Sequence, residues 1–153
     1  MEGRCLCGAV AFEFQGPATG IELCLCERCR RAYGSAFAAT FYVDATDFRW
    51  LHGQDMISAY DAPLREKPPA YRHSFCRSCG SPLPIVREDT PTVVVPAGLV
   101  QGDFGSRPIY QQWARQAAPW WTADVRFPSY EEAPPADLWV QMIAALEASR
   151  TRR

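Results

Sequence analysis

The sequence predicts a mainly β, zinc-stabilised domain of small antiparallel sheets that ends in a C-terminal helix. Three observations lead to this prediction. Over most of the chain before Pro119, apolar and polar residues alternate with the two-residue period of half-buried strands. All seven cysteines fall into three short clusters, as metal ligands do. Only the segment after Pro135 spaces its apolar side chains three or four positions apart, which is the period of a helix.

The alternation locates the strands, and the first segment has Val10, Phe12 and Phe14 on one face. The segments predicted as strands are 8–14, 21–24, 36–43, 48–51, 56–60, 71–75, 92–97 and 109–113. We expect 48–51 and 56–60 to pair as a hairpin around His52-Gly53-Gln54. The β-branched run 92–97 is expected to be a central strand.

The remaining segments have no such alternation. Residues 30–34 indicate a turn, 62–70 a proline-rich surface loop, and 119–133 an irregular, aromatic-rich covering of the sheets. The terminal segment predicts a helix whose first turn is capped by Asp137 and whose end is rich in arginine. Its apolar stripe consists of Leu138, Trp139, Met142, Ile143 and Leu146. We expect a zinc-binding β domain over 1–134 and a helical extension over 135–153 packed on the same domain.

Composition limits the functions that are open to the chain. With 153 residues, 48% hydrophobic residues and a formal net charge of −1, it suits one globular domain and lacks the basic character of a general nucleic-acid binder. No apolar run resembles a signal peptide or approaches the ~18 residues of a membrane span. We therefore expect a cytoplasmic monomer or homodimer that binds neither nucleic acid nor membrane. Closely spaced cysteines in that reducing compartment are more often metal ligands or redox groups than disulfides.

The spacing of the cysteines divides them into four and three. Side chains two residues apart on extended chain point to the same side, so Cys5 and Cys7 can bind one ion together. Cys76-x-x-Cys79 followed by Gly80 has the spacing of a zinc knuckle. Two such pairs form a closed, structural zinc site with four thiolates.

Cys24, Cys26 and Cys29 remain and would bind a second zinc from one side. An open fourth position is typical of catalytic zinc. Two alternatives are that His52 or His73 completes a second structural site, or that the three thiols are a redox group. The redox alternative is weaker because Cys-x-x-Cys redox pairs normally lie at a helix start.

An open, thiolate-rich zinc favours a thiol or thioether substrate, because the metal is soft enough to bind sulfur and deprotonates it near neutral pH. Substrate carboxylates could be bound bidentately by arginines that lie beside the cysteines. These arginines are Arg30, Arg31, Arg72 and Arg77.

Three motifs together resemble the glutathione-dependent formaldehyde-activating enzyme family, which includes centromere protein V. They are Gly3-Arg4-Cys5-Leu6-Cys7-Gly8-Ala9-Val10, Cys24-x-Cys26-x-x-Cys29-Arg30-Arg31 and Phe75-Cys76-x-x-Cys79-Gly80-Ser81-Pro82-Leu83. The resemblance extends from about residue 3 to Trp120-Trp121 and leaves the terminal helix as an extension.

The resemblance implies a tent-like β fold with two zinc ions and with glutathione as co-substrate. The structural zinc would be bound by Cys5, Cys7, Cys76 and Cys79, and the catalytic zinc by Cys24, Cys26 and Cys29. It also implies carbon–sulfur lyase activity, in which glutathione and formaldehyde interconvert with S-hydroxymethylglutathione. Arg30 and Arg31 are the candidate contacts to the glutathione carboxylates.

Leu25 departs from the family pattern, because family members commonly have a histidine between the first two cysteines of this cluster. An imidazole can orient a ligand or carry a proton, and leucine can do neither. The alternative to an enzyme is a non-catalytic, zinc-stabilised module that binds a protein partner. Such a module would have a filled fourth zinc position and an exposed apolar patch elsewhere.

Overall fold

A computed structural model describes residues 1–65, 70–123 and 125–150, with Arg150 described by its backbone alone. The strands are β1 (Glu2–Arg4), β2 (Ala11–Phe14), β3 (Ile21–Cys24), β4 (Ala38–Asp44), β5 (Phe48–His52), β6 (Ile57–Asp61), β7 (Arg72–Cys76), β8 (Thr92–Pro96) and β9 (Pro108–Gln112). The helices are α1 (Glu27–Tyr33) and α2 (Ala136–Arg150). The predicted mainly β fold with a C-terminal helix is confirmed.

The strands form three small sheets. One has the order β1-β2-β5, the second β8-β4-β3-β9, and the third pairs β6 with β7. All pairings are antiparallel except that of β3 with β9, which is parallel. The predicted small antiparallel sheets are confirmed apart from this one pair, whose partners lie far apart in the chain.

The predicted hairpin around His52-Gly53-Gln54 is also wrong. The two strands exist, but β5 pairs with β2 while β6 pairs with β7. Gly53 has a left-handed backbone (φ 78°), and a 3-10 turn over Gln54–Met56 follows it. These residues carry the chain from one sheet to the next, so the strands diverge after the turn.

Strand β8 lies at the edge of the four-stranded sheet and not at its centre. Val93 and Val95 are nevertheless buried, each at most 1% exposed, and Val94 between them is half-buried. The sequence of β8 thus reflects burial of its side chains, whereas its position in the sheet depends on pairing.

Residues 30–34 do not form the predicted turn, because Glu27–Tyr33 is helix α1. Cys26 caps the helix start, and Gly34 ends it with a left-handed backbone (φ 58°) whose N–H donates to the carbonyl of Arg30. None of the residues in α1 is fully buried. A short helix without a buried face has no apolar periodicity, so sequence pattern could not reveal it.

The main core lies between the three-stranded and four-stranded sheets. Val10, Phe12 and Phe14 are buried as predicted from their shared face. The core cluster consists of Phe12, Phe14, Phe41, Val43, Val93 and Val95. A smaller cluster contains Cys5, Val10, Cys76 and Leu83.

Helix α2 packs on the four-stranded sheet. The rings of Trp139 and Tyr42 lie 4.6 Å apart, and Leu146 is 4% exposed. Leu138, Met142 and Ile143 are half-buried. Asp137 lies within the first helical turn and not at the cap position, where its charge still complements the helix dipole. Neither described helix is long and apolar enough to cross a membrane.

Parts of three predicted segments lie outside the described residues. They are 66–69 of the surface loop, residue 124 of the irregular segment, and 151–153 of the arginine-rich end. The described part of 119–133 is irregular, as expected, with one isolated bridge between Gln111 and Ser129. The division of the chain at residue 135 stays a prediction.

Candidate metal centres

Four cysteine sulfurs meet where the N-terminal loop faces the end of β7. The Sγ atoms of Cys5, Cys7, Cys76 and Cys79 all lie within 4.8 Å of one another. Cys5 and Cys7 are 3.5 Å apart, and Cys7 and Cys76 are 3.9 Å apart. Four thiolates at ~2.3 Å around a tetrahedral zinc would be about 3.8 Å apart. The group therefore fits a zinc ion with little movement.

Backbone hydrogen bonds shape the two loops that carry these thiols. The N–H of Val10 donates to the Cys5 sulfur at 3.4 Å. The N–H of Gly80 donates to the carbonyl of Cys76 at 2.8 Å, and this turn needs the left-handed backbone of Gly80 (φ 73°). The N–H of Leu6 donates to the Ser81 hydroxyl at 3.0 Å and so joins the two loops.

The other three thiols meet at the start of α1. The Sγ atoms of Cys24, Cys26 and Cys29 lie within 4.8 Å of one another. Cys24 ends β3, Cys26 caps α1, and the N–H of Cys29 donates to the Cys26 sulfur at 3.3 Å. Among the described residues, no fourth cysteine, histidine or carboxylate oxygen joins this group. We call it the three-thiol group.

This placement removes one argument made from the sequence. Cys26 and Cys29 do lie at a helix start, so their position does not count against a redox pair. The flanking chain is extended on one side only, because α1 follows the group directly.

The thiols of the three-thiol group differ in acidity. Hydrogen bonds from the Cys24 and Cys29 thiols lower the pKa of Cys26 to about 3. The pKa of Cys24 is raised well above its usual value because its thiol is hydrogen-bonded to Cys26 and Cys29 and is buried. Cys26 is therefore the thiol of this group whose pKa its neighbours lower.

The four-thiol group is similarly uneven. Hydrogen bonds from the side chain and backbone of Ser81 lower the pKa of Cys79 to about 5. Burial raises the pKa of Cys5 to about 11. Both groups consist of soft sulfur donors, the ligand type that zinc binds in cysteine-rich sites.

Residues that sequence reasoning missed support the three-thiol group. The Tyr71 side chain lies close enough to the Cys29 thiol to oppose the rise in its pKa. The carbonyl of Gln112 accepts from the N–H of Leu25 at 3.0 Å, and the Gln116 side-chain oxygen accepts from the N–H of Glu27 at 3.1 Å. The two glutamines lie far from the cysteines in sequence, so no local motif could have linked them to the site.

An unusual backbone conformation brings Gln116 into reach. Trp113, which follows β9, has a left-handed backbone (φ 60°), a conformation that costs a non-glycine residue about 1–2 kcal/mol. Its N–H donates to the carbonyl of Glu132 at 3.0 Å, and its carbonyl accepts from the N–H of Gln116 at 2.9 Å. These bonds hold the turn that places the Gln116 side chain against α1.

Comparison with known proteins identifies the family. The sequence profile described as "Glutathione-dependent formaldehyde-activating enzyme" (GFA) matches residues 1–116. The chain belongs to the GFA family. A Halomonas elongata relative named "Putative glutathione-dependent formaldehyde-activating enzyme" is 34% identical over 112 residues, which cover 71% of this chain and 70% of that protein. A solved Rhodobacter sphaeroides protein is 28% identical, with a TM-score of 0.49, and the match covers 71% of this chain and 98% of that chain.

In this GFA family member, Leu25 faces away from the thiols. The sulfurs of Cys24 and Cys26 lie on one side of the chain, so the residue between them projects to the other. Leu25 is 1% exposed and belongs to the packed interior. Leucine at this position therefore contributes buried apolar surface.

The arginines named as candidate contacts all have partners within the chain. Arg30 donates to the carbonyl of Leu25 at 3.2 Å, and Arg31, whose side chain is 76% exposed, pairs with Glu27 at 2.7 Å. Arg72 binds both carboxylate oxygens of Asp61 at 3.0 Å, and Arg77 donates to the carbonyl of Asp55. Arg30 and Arg31 are therefore the two of these arginines that contact residues between Cys24 and Cys29.

Neither histidine completes the three-thiol group. The His52 ring is exposed and hydrogen-bonded to the carbonyl of Gly8 at 3.0 Å, beside the four-thiol group. His73 lies in β7 between Tyr33 and Phe75, with ring distances of 6.1 and 5.6 Å. Burial lowers its pKa, so the neutral form is favoured.

Proposed function

We propose that the chain is a zinc-dependent lyase that forms or cleaves the carbon–sulfur bond of a glutathione adduct, or of another thiol adduct, such as S-hydroxymethylglutathione. Membership of the GFA family supports a glutathione-related function. The single observation that carries the proposal is the three-thiol group, which offers zinc one ligand fewer than a closed tetrahedral site.

The proposal assigns two zinc ions. Cys5, Cys7, Cys76 and Cys79 would bind a structural zinc that pins the N-terminal loop to the end of β7. The three-thiol group would hold the catalytic zinc, which when bound supplies an electrophilic centre that favours the thiolate form of an incoming thiol.

The side chains around the three-thiol group would orient the substrate. In the synthetic direction, a bond forms between the thiol sulfur and the aldehyde carbon while the thiol proton ends on the aldehyde oxygen. Burial raises the pKa of Tyr71, so its hydroxyl keeps its proton near neutral pH beside Cys29. The half-buried Cys26 and Cys29 leave the group accessible from one side. Arg30 and Arg31 are the proposed contacts to the glutathione carboxylates.

Metal content and thiol binding test this proposal. Zinc-replete protein should hold about two metal ions per chain, and glutathione should change the thiolate-to-cobalt absorption bands of the cobalt-substituted protein. The variant Cys26→Ser should lose the response to glutathione and keep one tightly bound metal. Cys7→Ser is the matched control, because it removes one thiol from the other group and should keep the response.

Two results would contradict the lyase proposal. One is cobalt-substituted protein with two ions bound whose spectrum glutathione does not alter, which would favour the non-catalytic binding module. The other is zinc-replete protein that holds one ion only, in the four-thiol group.

A dithiol redox function is the second candidate, and the helix-capping position of Cys26 favours it. Cys26 is the thiolate of lowest pKa in its group, and Cys29 lies in the first turn of α1. In that case a glutathione disulfide would oxidise the two thiols to a disulfide and release two glutathione thiols. Formation of a Cys26–Cys29 disulfide in zinc-replete protein at a glutathione potential typical of cytosol would support this function over the lyase.

A further inference from the structure

A buried carboxylate lies beside the three-thiol group. Glu22 is in β3, two residues before Cys24, and is 7% exposed. Four side chains donate hydrogen bonds to it: Thr40 at 3.0 Å and Tyr42 at 3.1 Å to Oε1, and Tyr110 at 2.7 Å and Gln112 at 3.1 Å to Oε2. Burial raises its pKa, and the hydrogen bonds from Tyr110, Thr40 and Tyr42 oppose that shift.

Such a residue is costly for a fold to contain. Removing a carboxylate from water costs several kcal/mol unless hydrogen bonds replace those of the solvent. Well-packed apolar side chains would fill the same space without that cost. The carboxylate and its four partners are thus not needed merely to fill this part of the sheet.

The donors belong to the two strands that flank β3. Thr40 and Tyr42 are in β4, and Tyr110 and Gln112 are in β9. The pairing registers place Thr40 and Tyr110 opposite Glu22, and Gln112 opposite Cys24. The carboxylate therefore connects β3, β4 and β9 close to Cys24, the last residue of β3.

Gln112 connects this carboxylate to the thiols. Its side-chain amide donates to Glu22, while its backbone carbonyl accepts from the N–H of Leu25. Gln112 thus contacts the chain two residues before Cys24, in β3, and again one residue after it. The two hydrogen bonds from β9 to Glu22 add to the backbone pairing of β3 with β9 that holds Gln112 in place.

We propose that Glu22 is a positioning residue for the three-thiol group. Through Tyr110 and Gln112 it fixes β9, and the Gln112 carbonyl then holds the Cys24–Cys26 segment at the spacing that binds metal. The inference rests on the proposed function to the extent that the three-thiol group binds a metal ion. The inference makes metal binding by the three-thiol group depend on Glu22, a residue outside the cysteine motifs.

The test compares the metal affinities of the two thiol groups in one molecule. Glu22→Gln keeps the size of the side chain but replaces one acceptor oxygen with an NH2 donor that faces other donors. Competition for Co2+ with a chelator should show binding to the three-thiol group weakened about 10- to 100-fold, the usual effect of removing such a support. The four-thiol group serves as the internal control, and its affinity should be unchanged. Cys26→Ser and Cys7→Ser identify which absorption bands belong to which group.

Two tyrosine variants test the route through β9. Tyr110→Phe and Tyr42→Phe each remove one hydroxyl from the same carboxylate, the first from β9 and the second from β4. We expect Tyr110→Phe to weaken Co2+ binding by the three-thiol group more than Tyr42→Phe does. This pair keeps the proposal testable if Glu22→Gln does not fold.

Several results would overturn the positioning role. They are an unchanged affinity of the three-thiol group in Glu22→Gln, an equal loss of affinity in both groups, or equal effects of the two tyrosine variants. Failure of the proposed function is recognised separately, because the unmodified protein would then bind no Co2+ in the three-thiol group.

Discussion

Replacing Gly53 with alanine should destabilise the protein strongly, for two reasons that can be separated. Gly53 connects β5 to β6 with φ 78°, in the left-handed region that disfavours a Cβ atom. A Cβ at this position would overlap the carbonyl oxygen of Ala9 and lie 2.9 Å from the Ala9 carbonyl carbon and 3.0 Å from the Val10 Cα. These are backbone atoms of the loop that carries Cys5 and Cys7, so they cannot rotate away.

The expected magnitude follows from adding the two terms. The left-handed backbone costs an alanine about 1–2 kcal/mol. Overlap with a packed backbone costs about 1–3 kcal/mol more, because the loop must shift. Gly53→Ala should therefore lower the free energy of unfolding by about 2–5 kcal/mol.

Gly8→Ala is the matched control. Gly8 has nearly the same backbone angle (φ 76°) and lies in the loop that carries Cys5 and Cys7, but a Cβ there would meet nothing within 4 Å. It should cost only the backbone term, about 1–2 kcal/mol. Urea unfolding of both variants at one fixed free zinc concentration measures the difference, since bound metal itself adds stability. Equal urea midpoints for the two variants would refute the overlap with Ala9.

Three further predictions concern the metal, Leu25 and pH. Mild chelation should remove the metal of the three-thiol group before that of the four-thiol group, and simultaneous release of both ions with unfolding would contradict the division into four and three. Leu25→Ala should lower the free energy of unfolding by about 2–5 kcal/mol, yet keep the Co2+ spectrum of the three-thiol group, because the side chain is buried on the other side of the chain. Burial lowers the pKa of His73 in the folded protein, so the unfolded chain binds more protons in mildly acidic solution and stability falls as pH drops through the ordinary histidine range. His73→Phe keeps the ring contacts and should lose less stability than the unmodified protein between about pH 7.5 and 5.5, as urea midpoints would show; an equal loss would assign the pH dependence to other groups.

Much of the fold could be predicted because alternation records which side chains are buried. Strand β3 has the predicted bounds, and Val10, Phe12 and Phe14 are buried as their shared face predicts. Alternation does not record which strand is the neighbour. For that reason β5 and β6 were expected to pair with each other, and the parallel pairing of β3 with β9 was not expected.

The candidate site could be predicted only as far as its cysteines. Spacing of two or three residues brings thiols together locally, and the predicted division into four and three is the one in which the sulfurs lie within 4.8 Å of one another. Glu22 gave a weak signal, as a charged residue on the same strand face as Cys24. Gln112 and Gln116 gave none, because each contacts the three-thiol segment through backbone or amide groups from a distant part of the chain.

The parallel pairing of β3 with β9 also affects the order in which the protein can be completed during synthesis. A nascent chain that ends at residue 100 already contains all seven cysteines but neither Gln112 nor Gln116. The four-thiol group can form once Cys79 has left the ribosome. At that point residues 24–29 still lack β9, whose Gln112 carbonyl accepts from the N–H of Leu25. If the group binds metal as proposed, an ion bound at that stage would be held by a short local loop alone. Stable metal binding by the three-thiol group would then depend on the pairing of β9 with β3.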